Sequence, residues 1–351
     1  MFYKKTPKRD INMLKIFDST LRDGSHAIKQ QLSLQNIADY CLEIDDVGVY
    51  TVIVGHGNGL GASTLNVGLS KESDCIMLGE AKKHLNKTKL GAFLIPGFGT
   101  IQDNLIPAFI QGVDLVCVAS HCTEANITRQ HIEYILKEDK EVYGVLMLQH
   151  TINDEMILEQ AKMIEGYGGM GVILMDSAGA SLPNAVRHRI AFLKEHLNIP
   201  VGFHSHNNLG MAIINSVVAA EAGADIIDGT VRGFGAGAGN CQLEVFVAVM
   251  EKMGYPTGVD LYKMMEISDY VVNKFSSKEY GISPLNLISG IAGVFSSYST
   301  QVEEAAAHYG VDPRDIFIEM GKRKTVGGQE DIVVEVAAYL SAGRTNIKKE
   351  E

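Results

Sequence analysis

The sequence predicts a (β/α)8 barrel, in which parallel strands alternate with helices, followed by a smaller helical domain. Three observations support this fold class. Apolar, β-branched runs recur between residues 14 and 229, four of them after a glycine that ends a helical pattern. The runs are continuously apolar, as in parallel strands that are buried on both faces. Helical patterns lie between successive runs.

The apolar runs place the strands of this barrel in order along the chain. We predict strands near residues 14–18, 50–54, 89–95, 113–118, 143–148, 171–175, 200–204 and 225–229. An open, doubly wound sheet is the alternative, but such a sheet usually has fewer strands and a glycine-rich fingerprint after the first one. The segment STLRDGSH, which follows the first strand here, is not that fingerprint.

The pattern changes near residue 256, after which the helical segments have no buried strand between them. We therefore predict an N-terminal extension over 1–12, a barrel over 13–255 and a helical domain over 256–351. The helical domain is expected to pack on the barrel and is a possible docking site for a partner.

Composition excludes several classes of function. The 351-residue chain is 46% hydrophobic and carries a net charge of −11, so a nucleic-acid partner is not expected. No apolar run is long enough to span a membrane, and the basic start lacks the apolar core of a signal peptide. Five cysteines without a CxxC pair are typical of the reducing cytoplasm.

Polar residues at the ends of two predicted strands suggest a metal site. The active sites of such barrels lie at the carboxyl ends of the strands. His204 and His206 end the seventh strand and are two residues apart, so both rings point to one side. Asp23, in the segment FDSTLRDGSHA after the first strand, would complete a set of three ligands. Ligand types alone leave Mn²⁺, Mg²⁺, Co²⁺ and Zn²⁺ open.

Two neighbours of Asp23 are candidates for catalysis. Arg22 is permanently cationic and can stabilise a developing oxyanion, although a salt bridge to Asp18 is the alternative interpretation. His26 is a candidate general base because its unperturbed pKa lies near neutrality; a loop histidine without a role is the alternative.

The remaining strand ends contribute weaker candidates. Ser177 follows the sixth strand and could bind a carboxylate. The glycine-rich segment 228–246 has free backbone amides that could bind an anion, or it could simply be mobile. The loop after the second strand is a possible lid, and His121 and Cys122 are expected to be structural.

These motifs together resemble a known family. FDSTLRDGSHA, ASHCTEA, MDSAGA, HSHNNLG, GFGAGAGNCQLEVF and VGGQEDIVV occur in the order seen in 4-hydroxy-2-oxovalerate aldolases, from about residue 14 to 340. That family belongs to the wider group of metal-dependent barrels that includes hydroxymethylglutaryl-CoA lyase. A Schiff-base aldolase would instead need a Lys at the barrel mouth, and none of the predicted strand ends carries one.

The resemblance implies a class II aldolase that cleaves a 4-hydroxy-2-oxoacid to pyruvate and a short aldehyde. Asp23, His204 and His206 would hold a divalent metal, with Mn²⁺ expected first. His26 would take the proton of the 4-hydroxyl group, and Arg22 would share the charge of the enolate. The substrate would also contact Asp23, His204 and Ser177, of which Ser177 would position its carboxylate.

The resemblance also implies a partner and includes one departure. The family associates with an acylating aldehyde dehydrogenase through its C-terminal domain. A Tyr commonly stands in the family where this chain has Phe295, and Tyr298 or a metal-bound water is a possible substitute. Phe295 leaves open a lyase or condensing enzyme that acts on an acyl-CoA or a different oxoacid. A metal-binding scaffold that docks a dehydrogenase is the non-enzymatic alternative.

Overall fold

The computed structural model describes residues 14–275 and 281–347, so the predicted extension over 1–12 lies outside the described residues. Its strands form a closed parallel barrel in sequence order, from β1 next to β2 round to β8 next to β1. This confirms the predicted fold class. The strands are β1 Lys15–Asp18, β2 Thr51–Ile53, β3 Lys89–Leu94, β4 Leu115–His121, β5 Glu141–Met147, β6 Val172–Asp176, β7 Val201–Ser205 and β8 Ile226–Gly229.

Helices surround the barrel and continue beyond it. Those between the strands and directly after β8 are α1 Leu34–Ile44, α2 Asp74–His84, α3 Ile106–Ile110, α4 Arg129–Lys137, α5 Asp154–Gly166, α6 Pro183–His196, α7 Ala212–Glu221 and α8 Leu243–Met253. The helices that follow are α9 Leu261–Lys274, α10 Pro284–Ala292, α11 Ser299–Tyr309, α12 Pro313–Lys322 and α13 Glu330–Ile347. Among the described helices, none is both long and apolar enough to cross a bilayer.

Local sequence explains how the helix after β1 forms. The Ser33 hydroxyl caps α1 by accepting a hydrogen bond from the Asn36 amide at 3.1 Å, and the Asn36 side chain accepts one from the Ser33 amide. The buried face of α1 consists of Ile37, Tyr40, Cys41 and Ile44, which recur at helical spacing. This face belongs to the barrel cluster, and its Tyr40 hydroxyl donates to the Asp18 carboxylate at the end of β1 at 2.6 Å.

The barrel interior is filled with side chains, and its two ends differ. Phe17 and Tyr143 meet edge to face inside it, with ring centroids 5.2 Å apart. Lys15 and Lys89 begin their strands, and Glu141 accepts a hydrogen bond from Lys89, so charged groups close the amino-terminal end. The carboxyl-terminal residues of the eight described strands include no Lys. The polar residues of interest lie at that second end.

The last helices build a second core. Val302, Ile316, Phe317 and Val336 are fully buried in a cluster separate from that of the barrel. Helix α9 contributes Met264, Ile267 and Val271 to the barrel cluster instead, and it packs on α1 and α8. A helical C-terminal domain therefore follows the barrel, as predicted, while the division after residue 255 stays a prediction.

Candidate metal centre

The closed barrel brings the end of β7 next to the turn after β1. Strand β8 lies between β1 and β7, and its register pairs Asp18 with Gly229 and His204 with Asp228. After β1 the chain turns and enters a 3-10 helix, Asp23–Ile28, whose first residue points its carboxylate into the barrel mouth. Residues that are far apart in the sequence thus meet at one end of the barrel.

Three predicted ligands converge there. One ligand atom from each of Asp23, His204 and His206 lies within 4.8 Å of the other two, and all three residues are buried. The His204 and His206 rings are 5.0 Å apart between centroids. Nε2 of His204 is buried and has no hydrogen-bond partner in the described protein. A buried, unpartnered imidazole nitrogen is costly unless something binds it, so this arrangement fits a divalent metal ion.

The ring of His204 is oriented by a carboxylate on the neighbouring strand. Nδ1 of His204 lies 2.8 Å from Oδ2 of Asp228, whose other oxygen accepts a hydrogen bond of 2.8 Å from the Ser19 hydroxyl. With its proton on Nδ1, the ring presents the lone pair of Nε2 to the centre. This relay is the usual outer support of a metal-binding histidine.

Asp23 is held as a carboxylate by its surroundings. Oδ2 accepts hydrogen bonds from the Asn240 side chain at 2.5 Å and from the Ala236 amide at 3.2 Å, and Arg22 lies 3.0 Å from Oδ1. Burial alone would raise the pKa of Asp23, but the positive charge of Arg22, assisted by His206, lowers it below its ordinary range. Burial lowers the pKa of His206 to about 4, against the attraction of Asp23. Both residues are therefore in the protonation state that binds metal.

Arg22 is 3% exposed and directed into the site. It donates to Asp23 and to the carbonyl of Gly57, and its guanidinium carbon lies 4.4 Å from the centroid of the Phe93 ring. The alternative salt bridge to Asp18 is absent, because that carboxylate accepts from Thr20 and Tyr40 instead. Nε of Arg22 is buried with no partner among the described protein groups, so the cation retains a free donor.

His26 lies on the 3-10 helix that begins with Asp23, and it is half-buried. Its Nδ1 is 3.2 Å from the side-chain nitrogen of Gln30, and its ring is 6.4 Å from the His56 ring between centroids. Burial lowers the pKa of His26, although Asp23 acts in the opposite direction. The imidazole is therefore neutral near pH 7, which is the form that a general base requires.

Comparison with known proteins places the chain in a family. Residues 13–271 match the model described as HMGL-like, and residues 280–342 match the DmpG-like communication domain. A 4-hydroxy-2-oxovalerate aldolase of Pectobacterium atrosepticum is 50% identical over 329 residues, which are 94% of this chain and 96% of that protein. The chain belongs to the 4-hydroxy-2-oxovalerate aldolase family. A 4-hydroxy-2-oxovalerate aldolase of Spirochaeta aurantia is 51% identical over 93% of this chain and 96% of its own length.

Solved structures support the fold of this aldolase-family chain. The carboxyl transferase domain of Rhizobium etli pyruvate carboxylase superimposes with a TM-score of 0.79, covering 95% of this chain and 61% of the other. The two sequences are 17% identical, so this similarity concerns the fold alone. The barrel and the helices after it are therefore an arrangement that exists in experimental structures.

Ser177 and the glycine-rich segment 228–246, the weaker candidates from the sequence, make different contacts in the structure. Ser177 is buried, and its hydroxyl oxygen accepts a hydrogen bond of 3.1 Å from the Leu148 amide. Its predicted contact with substrate stays a prediction. In the glycine-rich segment, the Ala236 amide donates to Asp23, and a Cβ at Gly235 would lie 2.5 Å from the same carboxylate. This amide therefore supports a candidate metal ligand, and the anion site that the sequence suggested for the segment stays a prediction.

The loop after β2, and the pair His121 and Cys122 at the end of β4, form hydrogen bonds with neighbouring groups. Nε2 of His56 lies 3.0 Å from the carbonyl oxygen of Gly68, which links the two ends of the loop. Cys122 is buried, and its Sγ contacts the Leu148 carbonyl at 3.3 Å. His121 is half-buried next to the Thr123 hydroxyl at 2.7 Å. These contacts support structural roles for His121 and Cys122.

Phe295, which stands where the family commonly has a Tyr, belongs to a segment that packs in the hydrophobic core of the C-terminal domain. Phe295 is half-buried, packs on the C-terminal cluster and lies between α10 and α11. Tyr298 is buried, and its hydroxyl donates to the Val326 carbonyl at 2.6 Å and accepts from the Gln329 amide at 3.3 Å. Since that hydroxyl is engaged inside the C-terminal domain, the suggestion that Tyr298 replaces the missing tyrosine is wrong.

Sequence reasoning missed several supporting residues. Asp228 lies one residue before the end of the eighth strand and is the register partner of His204, so a register count along two adjacent strands could have found it. Ser19 stands one residue after β1, in the segment that was already suspected. Asn240 and Gln30 carried no signal of their own, because loop geometry alone brings them to Asp23 and His26.

Proposed function

We propose that this chain is a metal-dependent aldolase that cleaves 4-hydroxy-2-oxopentanoate, or a related 4-hydroxy-2-oxoacid, to pyruvate and acetaldehyde or another short aldehyde. The observation that carries the proposal is the buried triad of Asp23, His204 and His206 with Arg22 beside it. It lies at the barrel mouth of a chain that is 50% identical to a 4-hydroxy-2-oxovalerate aldolase.

The triad would hold the metal ion, with Mn²⁺ as the first candidate and Mg²⁺, Co²⁺ or Zn²⁺ as others. Two imidazoles and one carboxylate leave further positions free for a substrate, as in other catalytic centres. When bound, the ion supplies a Lewis acid that polarises the 2-oxo group and orients the carboxylate of the substrate. Asp23 and His204 would therefore contact the substrate through the ion that they hold.

His26 would accept and release the proton that moves during the proposed cleavage. His26 accepts the proton of the 4-hydroxyl at Nε2, and the electron pair of that O–H bond forms the aldehyde carbonyl. The bond between C3 and C4 breaks at the same time, and its electrons pass into the enolate of pyruvate. The enolate then takes a proton at C3 from solvent, and His26 releases its own. No net oxidation or reduction takes place.

Arg22 and Ser177 would stabilise and position the reacting molecule. Arg22 is buried, permanently charged and fixed by Gly57 and Phe93, so it can stabilise the enolate oxygen at little cost of reorganisation. The hydroxyl hydrogen of Ser177 is not used by its contact with the Leu148 amide and is available to donate to the substrate carboxylate.

The C-terminal domain would dock an acylating aldehyde dehydrogenase, which would consume the aldehyde. The match of residues 280–342 to a communication domain supports a docking role. We propose a cytoplasmic enzyme, with the helical domain over 256–351 as its docking part.

An activity screen tests this proposal. The metal-free protein is loaded with each of Mn²⁺, Mg²⁺, Co²⁺ and Zn²⁺ and offered 4-hydroxy-2-oxoacids of increasing chain length, and pyruvate is followed with lactate dehydrogenase. We expect metal-dependent turnover that is lost on chelation and in His26→Asn. Absence of pyruvate from every substrate, in protein with a full complement of metal, would discard the substrate class.

Phe295 supports a second candidate function, a lyase or condensing enzyme that acts on an acyl-CoA or a different oxoacid. A phenyl ring has no hydroxyl to deliver a proton or hold a substrate, so the preferred substrate can differ from that of the relatives. This candidate predicts activity that depends on a CoA thioester. The variant Phe295→Tyr distinguishes the two: a large gain on 4-hydroxy-2-oxopentanoate would mean that the natural substrate is another compound.

A further inference from the structure

Gln30 is buried in an unusual backbone conformation next to the candidate base. It is 5% exposed, and its φ of 64° follows a φ of 52° at Lys29, so two consecutive non-glycine residues adopt left-handed backbone. Such conformations are unfavourable and persist where surrounding contacts impose them. Here the Gln30 amide donates to the Ser25 carbonyl at 2.7 Å, and its carbonyl accepts from the Lys71 amide at 3.1 Å. The backbone thus directs the side chain inward.

The orientation of the Gln30 side-chain amide follows from a backbone group. The amide of Gly57 lies 2.9 Å from one end of the Gln30 side chain. A backbone N–H only donates, so the atom that it contacts must be the oxygen, Oε1. The nitrogen, Nε2, is then the atom that lies 3.2 Å from Nδ1 of His26.

This orientation determines which nitrogen of His26 carries the proton. The NH₂ group of Gln30 only donates, so Nδ1 of His26 must accept. In a neutral imidazole the other nitrogen then holds the proton. We infer that Gln30 is a positioning residue of the proposed aldolase, one that places the proton of neutral His26 on Nε2 in the substrate-free enzyme. The inference rests on the proposed function at one point only: that function makes His26 the catalytic base.

The placement of the proton has a consequence for catalysis. To take the 4-hydroxyl proton at Nε2, His26 must first carry its own proton on Nδ1. That state needs an oxygen beside Nδ1, which Gln30 supplies when its amide group rotates about its last bond. Rotation turns the NH₂ group toward the Gly57 amide and loses the contact between them. The base-competent state of His26 is therefore the less stable of the two in the substrate-free enzyme.

Gly57 also lies directly against the Nε2 side of the His26 ring. A Cβ at this glycine would lie 2.3 Å from that nitrogen, closer than real Cβ atoms approach another heavy atom. The same residue therefore orients Gln30 through its amide and, without a side chain, allows its backbone to approach and hydrogen-bond the His26 ring. The charged and titratable groups around the ring are Asp23, Arg22, His206 and, at 6.4 Å, His56.

The test reads the tautomer directly, by nitrogen NMR of ¹⁵N-histidine-labelled protein loaded with diamagnetic Mg²⁺ and free of substrate. The chain has 11 histidines, so the His26 signals are assigned by their loss in His26→Asn. Gln30→Glu keeps an oxygen for the Gly57 amide but presents an acceptor to Nδ1. Gln30→Met keeps a similar length without either polar atom. Gln31→Glu, at the adjacent exposed residue, makes the same charge change away from the ring.

We expect neutral His26 to be protonated on Nε2 in the unmodified protein and in Gln31→Glu, on Nδ1 in Gln30→Glu, and on both in fast exchange in Gln30→Met. A His26 protonated on Nδ1 in the unmodified protein, or a tautomer that is unchanged in Gln30→Glu, would overturn the inference. Because the spectrum is recorded without substrate, a failed activity screen would leave this result intact, and the reverse also holds.

Discussion

Replacing Asp228 by Asn should weaken metal binding while the barrel stays folded. Asp228 accepts two short hydrogen bonds, from His204 and from Ser19, and its side chain is 5% exposed. An Asn can keep both contacts, because its oxygen faces Nδ1–H and its NH₂ group donates to the Ser19 hydroxyl. The negative charge that makes Nε2 of His204 a stronger ligand is lost. Loss of such a carboxylate typically lowers metal affinity roughly 10- to 100-fold, or ~1.4–2.8 kcal/mol of binding free energy.

Calorimetric titration of the metal-free protein with Mn²⁺ measures this effect. Asp225→Asn is the matched control, since that residue stands just before the same strand at the opposite end of the barrel and bonds Lys194 at 2.6 Å. The control should bind Mn²⁺ as the unmodified protein does. An unchanged Kd in Asp228→Asn, with full stoichiometry, would show that Asp228 does not support His204 as a ligand.

Three further variants test the centre and its support. Arg22→Lys keeps the charge but loses the geometry that reaches both Asp23 and Gly57, so kcat should fall roughly a hundredfold or more with an unchanged Kd for metal. A smaller effect on kcat would contradict a role in the transition state. His206→Ala should lose bound metal in elemental analysis, and stoichiometric metal in that variant would refute the ligand assignment. Burial, opposed by hydrogen bonds from Thr20 and Tyr40, raises the pKa of Asp18 to about 6. The resulting stabilisation is present below the unfolded pKa near 4 and is lost as pH rises through about 6. Asp18→Asn should therefore remove up to about 3 kcal/mol of pH dependence from the unfolding free energy between pH 4 and 7, and identical pH profiles would exclude this carboxyl as the cause.

The predicted barrel and ligands were accessible from the sequence for clear reasons. Strands buried on both faces need continuous apolar runs, and two histidines at spacing two on a strand direct both rings to one side, where Asp23 can join them. Arg22 and Asp23 were found because charged residues directly after a buried strand are unusual. The missed residues differ in kind: Asn240 and Gln30 are uncharged, lie in loops and act only through the ligand or base that they contact.

One inference from the sequence failed because side-chain direction depends on packing. Tyr298 stands one helical turn beyond Phe295, which suggested a replacement hydroxyl, but its ring enters the C-terminal core and its hydroxyl donates to the Val326 carbonyl. The suggested anion site in the glycine-rich segment stays a prediction, although its amide at Ala236 donates to the carboxylate of Asp23. In both cases a neighbour that is distant in the sequence determines what the polar group binds.

The amino-acid sequence by itself determined the alternation of strands and helices, the closed parallel barrel and the chemical types of the three ligands. These follow from local periodicity and from the coordination preferences of side chains. Only the tertiary structure decided that Asp228 orients His204, that Arg22 serves the centre rather than Asp18, and that Gln30 holds His26. Barrel closure sets those contacts, because the register of β8 between β1 and β7 joins residues that are about 200 positions apart and removes them from water together.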